Sequence, residues 1–193
     1  MGTVTASTDV NVPIRTAYNQ WTQFESFPRF MEGVEQVQQL DDTHTHWKVH
    51  FGPVEREFDA TITEQHPDER VAWRSDNGPE HAGVVTFHRI DDRTTRVITQ
   101  MDIDPEGFVE NVGDKLGLLD RRVKGDLKRF KEFIEGQGYE SGAWRGEVPR
   151  PGSGEIPRPD PGGMPGTTPG GIPPAGPGGY TGPAGGDIPR QGF

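Results

Sequence analysis

From Val34 to Asp104 the chain holds only short β-rich runs separated by turn residues, and directly after them comes one long amphipathic repeat. That order constrains the fold more than any other feature. The runs VEQVQQL, THWKVHF, VEREFDATITE, RVAWRS, AGVVTFHRI and RVITQMDI follow one another with no helical interruption. They predict an antiparallel meander, because parallel neighbours would need long crossovers between them. The repeat places Phe108, Val112, Leu116, Leu119, Val123, Leu127, Phe130 and Ile134 at steps of three or four. This spacing predicts one amphipathic helix over 108–134, with Asp120, Arg121, Lys124, Lys128, Lys131 and Glu135 on its wet face. Gly113, Gly117 and Gly125 lie inside it, where each is worse than Ala by about 1 kcal/mol. Gly136 and Gly138 end it.

Upstream, TVTASTDVNV alternates with Val4, Ala6, Thr8, Val10 and Val12 on one face, which predicts a strand. Asn11 as a cap and Pro13 in a first turn predict a short helix carrying Ile14, Ala17, Tyr18 and Trp21. Ser26 as a cap, with Pro28 in the first turn, predicts a second short helix on which Phe24, Phe27, Phe30 and Met31 continue.

One hairpin can be registered from sequence. A two-residue Gly52-Pro53 turn sets Phe51 against Val54, Val49 against Arg56 and Trp47 against Phe58. On the other face His50 meets Glu55, Lys48 meets Glu57 and His46 meets Asp59. A slip of one residue would turn every charge inward, so the pattern pins the register. The hairpin after Ile90 cannot be registered this way, and the facing of the last strand stays open.

Most of the 27 Gly and 18 Pro lie past Ser141, where over half of all positions are one or the other. Such a segment cannot bury enough surface to offset its ordering entropy. The expected division is a single domain over 1–140 and a disordered tail over 141–193. Four Arg and four acids balance in the tail, so the net charge of −10 sits on the domain. That acidity argues against a nucleic-acid partner and against docking to anionic lipid. No cysteine is present, which excludes disulfides, thiol nucleophiles and Cys-ligated metals. MGTVTASTDV lacks the basic start and apolar run of a signal peptide, and no apolar run is long enough to span a membrane, so a cytoplasmic location is expected.

The order of strand, two short helices, six strands and long helix resembles the START-like (SRPBCC) superfamily. The likeness covers residues 3 to about 138. It rests on VNVPIRTAYNQWTQFESFPRFMEGVEQV, on DATITEQHPDERVAWRS, on GVVTFHRIDDRTTRV and on RFKEFIE, and these suit its polyketide cyclase/dehydrase and coenzyme Q-binding branch. The resemblance implies an α+β helix-grip fold: a curved antiparallel sheet of about seven strands gripping the terminal helix, with a cavity between them for a hydrophobic ligand such as a lipid, quinone or polyketide. It implies no cofactor.

Candidate wall residues follow. Trp21, Phe24, Phe27, Phe30, Met31, Trp47, Val49, Phe58, Trp73 and Phe87 divide between core and cavity. Gly113, Leu116 and Gly117 mark either open space along the helix or close helix-to-strand packing. Arg56 projects onto the apolar face, where it either anchors a ligand oxygen or snorkels out at the hairpin rim. His44 and His46 form an H-x-H, yet their strand partners are acids and no metal set closes. No nucleophile elbow is present, and Arg56, His88 and Asp102 are the only weak acid–base candidates. Binding or carriage of a hydrophobic molecule is therefore expected ahead of cyclase or aromatase activity. In the tail, EVPR (Glu147, Val148, Pro149, Arg150), EIPR (Glu155, Ile156, Pro157, Arg158) and DIPR (Asp187, Ile188, Pro189, Arg190) repeat one short pattern. Stiff apolar units of this kind, in three copies, would suit docking to a large protein assembly.

Overall fold

A computed structural model describes residues 1–111 and 113–153. Seven strands form one antiparallel sheet in the order β1-β7-β6-β5-β4-β3-β2. They are β1 (Gly2–Val10), β2 (Val34–Gln39), β3 (His44–Phe51), β4 (Val54–His66), β5 (Arg70–Ser75), β6 (His81–Asp91) and β7 (Thr94–Ile103). Between β1 and β2 lie α1 (Ile14–Trp21) and a 3-10 helix, Phe24–Arg29; after β7 come α2 (Pro105–Phe108) and the long α3 (Lys115–Gln137). This is the helix-grip arrangement, with α3 lying across the sheet.

The β3–β4 register is the one the charge pattern requires, with Phe51 opposite Val54, Val49 opposite Arg56 and Trp47 opposite Phe58. Gly52 takes φ +60 at the turn, a value that a β-carbon disfavours. The outer face differs in detail: Lys48 Nζ lies 3.4 Å from Glu35 and 3.5 Å from Glu55 rather than pairing with Glu57. The β6–β7 hairpin carries a register shift between Arg89 and Asp91, which is why simple alternation could not register it. Past the shift, Val97, Thr99 and Ile103 are buried on the concave face, while His88 is exposed and Asp102 bonds the Thr3 hydroxyl at 2.7 Å.

Three expected helix boundaries move. Asn11 does not cap α1; its backbone N–H donates to Glu135 Oε1 at 2.7 Å, and Pro13 stands at the cap position. Ser26 lies within the 3-10 helix and donates its hydroxyl to the Gln23 carbonyl. The repeat from Phe108 is not one helix: α2 stops at Phe108, and α3 begins at Lys115 with Asp114 accepting from Gly117 N–H at 2.9 Å. The Asp114 carboxylate fills the space where a Gly117 β-carbon would stand. At its other end α3 is closed by Gly138, whose N–H reaches the Ile134 carbonyl at 2.8 Å.

The domain also runs past the expected boundary at residue 140. β4 is longer than β3, so its last residues have a free edge once β3 has ended. Val148 takes that edge, exchanging both backbone hydrogen bonds with Gln65 at 2.8 and 2.9 Å. Arg145 holds the Asp68 carboxylate through two hydrogen bonds of 2.9 Å, donates to Asn19 Oδ1 at 2.7 Å and lies over the Tyr18 ring. Arg150 reaches Glu64 at 3.2 Å. Burial would raise the Glu64 carboxyl, but Arg150, Arg70 and His66 together hold it below its ordinary value. Composition misled here because a few side chains and one strand bridge anchor a segment that has almost no apolar content. The first acid–apolar–Pro–Arg copy is thus engaged by its own domain, and Ile156, Pro157, Arg158, Ile188, Pro189 and Arg190 lie outside the described residues.

Candidate functional site: an apolar cavity under the long helix

The interior contains two buried apolar clusters rather than one. The first gathers α1, the 3-10 helix and the C-terminal half of α3 around Tyr18, Trp21, Phe27, Phe87, Phe130 and Ile134. The second gathers Val49, Phe58, Ala60, Ile103, Phe108 and Leu119. Along the seam between them lies a cavity of about 170 Å³. An apolar void of roughly 150 Å³ is enough to hold a benzene ring, so this space suits a molecule of about one ring without rearrangement.

Eight of the expected wall residues line it: Trp21, Phe24, Phe27, Met31, Trp47, Val49, Phe58 and Trp73. Their rings form a continuous arc, with centroids 5.3 Å apart for Trp21–Phe27, 5.7 Å for Phe27–Trp47 and 6.0 Å for the stacked Trp47–Phe58 pair. Trp73 lies flat against its cross-strand neighbour Gly83, where any β-carbon would strike the indole. The aromatic segment after α1 therefore divides by face. Trp21, Phe24, Phe27 and Met31 look into the cavity, whereas Phe30 turns to Phe130 and Phe133 and belongs to the packed core.

The other expected residues are elsewhere. Phe87 packs against Tyr18 and Trp21 in the first cluster. Leu116 is 37% exposed and touches Gly2, and Gly113 precedes α3 altogether. Their misplacement follows from reading α2 and α3 as one helix. Arg56 sits at the rim: it donates to the Gly107 carbonyl at 2.8 Å and to the Glu55 carbonyl at 3.0 Å, and pairs with Glu110 at 2.6 Å. It fastens α2 to the hairpin and is not among the lining residues. His44 pairs with Asp41 and His46 with Asp59 on the outer face. Among the described residues no cluster of three potential metal ligands is found.

The polar part of the wall escaped the sequence reading. Arg122 and Asp126 come from the inward stripe of α3, at the spacing that also carries Leu119, Val123 and Leu127. Arg122 donates to the His50 carbonyl at 3.2 Å, pairs with Glu32 at 3.1 Å and lies over the Phe51 ring. Asp126 accepts the Glu32 N–H at 3.0 Å and pairs with Arg129, which also donates to the Phe30 carbonyl. Burial raises the Asp126 carboxyl, against the pull of Arg129 and the Glu32 amide. These three α3 charges clamp the Glu32–Gly33 turn over one flank of the cavity. Gly33, at φ +83, fits beneath them because a β-carbon would collide with the His50 carbonyl and the Arg122 guanidinium. Thr45 bonds within the sheet, accepting from Trp47 Nε1 at 2.8 Å. His81 opens β6 and is 4% exposed, with ring centroids 4.6 Å from Phe58 and 5.4 Å from Phe108.

A second concavity of about 520 Å³ lies between the 3-10 helix and Ser141–Trp144. It is larger, but Gln23, Glu25, Arg29 and Gln39 make it a wetted surface groove, whereas the aromatic cavity is lined almost wholly by apolar side chains.

Residues 10–132 match the model of a family described as polyketide cyclase / dehydrase and lipid transport. An uncharacterised 17.2 kDa protein of Streptomyces lincolnensis is 59% identical over 149 residues, covering 77% of this chain and 99% of the relative. The fold is shared with the Zhui aromatase/cyclase of Streptomyces sp. R1128, at a TM-score of 0.60 and 13% identity over 74% of this chain and 99% of that one. It is shared equally with a START superfamily protein of Mycobacterium smegmatis, at a TM-score of 0.56 and 10% identity over 70% and 95% of the two chains.

Proposed function

The chain belongs to the polyketide cyclase / dehydrase and lipid transport family, and on that premise we propose that it binds and carries a hydrophobic small molecule in the cavity beneath α3. The observation that carries this reading is the arc of aromatic rings around a cavity at the seam of the core. A void of this size in a packed interior lowers stability by about 4 kcal/mol at roughly 24 cal/mol per Å³. A bound apolar molecule would recover much of that.

Carriage is favoured over catalysis by how the polar lining groups are spent. Arg122 and Asp126, the two charged lining groups, are both engaged with the Glu32–Gly33 turn, and Thr45 with the sheet, which leaves His81 and Thr99 as the uncommitted polar side chains of the wall. Three of the four Trp residues line the cavity, which supplies the assay. Protein from cells is extracted with organic solvent and the extract identified by mass spectrometry. The stripped protein is then titrated with the recovered compound while Trp emission is followed. Saturable quenching, abolished when Ala60 is replaced by Phe to fill the cavity, is the expected result. An extract empty under every growth condition, with no quenching by any apolar probe, would retire the proposal.

The tail pattern supports a second, separate role. Docking of Ile156–Arg158 and Ile188–Arg190 to a repetitive protein assembly would be tested by co-purification with and without residues 154–193, and an unchanged partner set would end that reading.

A further inference from the structure

Within an otherwise apolar or self-satisfied wall, one group stands out. His81 Nδ1 lies 2.9 Å from the Pro79 carbonyl, and a carbonyl can only accept, so Nδ1 carries the hydrogen. Burial pushes the imidazole below its ordinary value, only partly offset by that carbonyl, and the ring is neutral near pH 7. Its other nitrogen, Nε2, therefore keeps a lone pair and has no hydrogen-bond partner among the described residues. The ring is wedged between the edges of Phe58 and Phe108, which fixes its orientation. It lines the cavity. Among the described residues no carboxylate is bonded to the ring, so none of them prepares it to take up a full proton as a general base would.

On the carriage reading, we infer that His81 Nε2 is the acceptor for a hydroxyl group on the bound molecule. The ligand class is then an apolar body of about one ring bearing a phenol or alcohol, rather than a carboxylate or a bare hydrocarbon. A carboxylate would meet a neutral acceptor, and the nearby Arg122 is already held by Glu32 and the His50 carbonyl. Gln65 Oε1 is the fully buried side-chain atom without a partner among the described residues, so Nε2 is open to the cavity, and a hydrocarbon would displace water from it and return no hydrogen bond. Thr99 supplies the competing hydroxyl of the wall, four residues along β7 from Ile103, the cross-strand neighbour of His81, so removing it distinguishes the two partners, and a ratio that falls in Thr99→Val instead of His81→Phe overturns the inference.

The test uses toluene, p-cresol and p-toluate, which share one ring and differ in one substituent. Affinities are measured calorimetrically on the full chain, on His81→Phe and on Thr99→Val. The ratio of p-cresol to toluene affinity should fall roughly tenfold in His81→Phe, the worth of one buried hydrogen bond, and hold in Thr99→Val. Nitrogen NMR of the unmodified protein gives a readout that needs no variant to fold: p-cresol should move the Nε2 resonance and toluene should leave it in place. A ratio indifferent to His81→Phe, an unmoved Nε2 signal, or p-toluate binding more tightly than p-cresol overturns the inference while leaving carriage intact. Failure of all three probes to bind the unmodified protein would instead overturn the carriage reading on which it rests.

Discussion

Ala60→Val tests the open interior directly. Ala60 sits on the concave face of β4, 2% exposed, and lines the cavity. Valine suits a strand and adds two carbons that would point into the void. At about 0.8 kcal/mol per buried carbon, the change stabilises the empty protein by up to about 1.6 kcal/mol. For a domain near this size each kcal/mol moves the melting temperature by roughly 2–4 °C, so a rise of about 3–6 °C is expected by calorimetry on extracted protein. The same change in a filled interior would overpack it and destabilise by about 1–3 kcal/mol. The two pictures therefore differ in sign, and a fall in melting temperature refutes the cavity. With ligand present the sign should invert, because the added methyl groups compete with the guest.

Gly33→Ala should destabilise by about 2 kcal/mol or more, since it forces a β-carbon into the left-handed region and against Arg122; urea denaturation measures it, and an unchanged midpoint would show that the turn is not clamped. Arg145→Ala should remove about 1–2 kcal/mol, discounted for the partial exposure of both partners, and should speed amide exchange at Gln65 and Val148; unaltered exchange would mean that residues 141–150 hold without it. Asp126→Asn keeps an acceptor for the Glu32 N–H but removes a buried charge. Because burial raises the Asp126 carboxyl, the parent gains stability as pH falls from neutral into the carboxylate range. The variant should thus be favoured most at neutral pH, and urea midpoints down to about pH 4 should show the advantage shrinking; an advantage that grows with acid would reverse the assignment.

What the sequence made legible and what it hid have the same origin. The β3–β4 register could be read because charges on one face and rings on the other leave a single pairing that buries no ion. The eight expected residues that lie on the cavity wall are all apolar, so facing alone decides their place. His81 was hidden by one position: the run recognised as β6 began at Ala82, yet His81 shares the parity of Gly83, Val85 and Phe87 and faces inward with them. Arg122 and Asp126 stand at helix positions that also serve Leu119 and Val123, but a hydrophobic count skips charged residues. Gly113 and Gly117 misled because their meaning depends on where a helix begins, and the apolar period runs straight through Asp114, the residue that caps α3.

The core stays divided because its two halves are anchored to different parts of the chain. α1, the 3-10 helix and the C-terminal turns of α3 form one ring-packed unit through Trp21, Phe27, Phe30 and Phe130. The N-terminal turns of α3 and α2 form the other through Phe51, Phe58 and Phe108. Closing the seam would require α3 to approach the sheet along its middle, but Trp47 and Phe58 are stacked there and rigid rings cannot interdigitate as aliphatic chains do. Arg122, Asp126 and Arg129 then hold the Glu32–Gly33 turn across the flank instead of letting it fold inward. A curved sheet, a helix held off by stacked rings and a charged clamp at the side together keep space open that an all-aliphatic core of the same topology would fill.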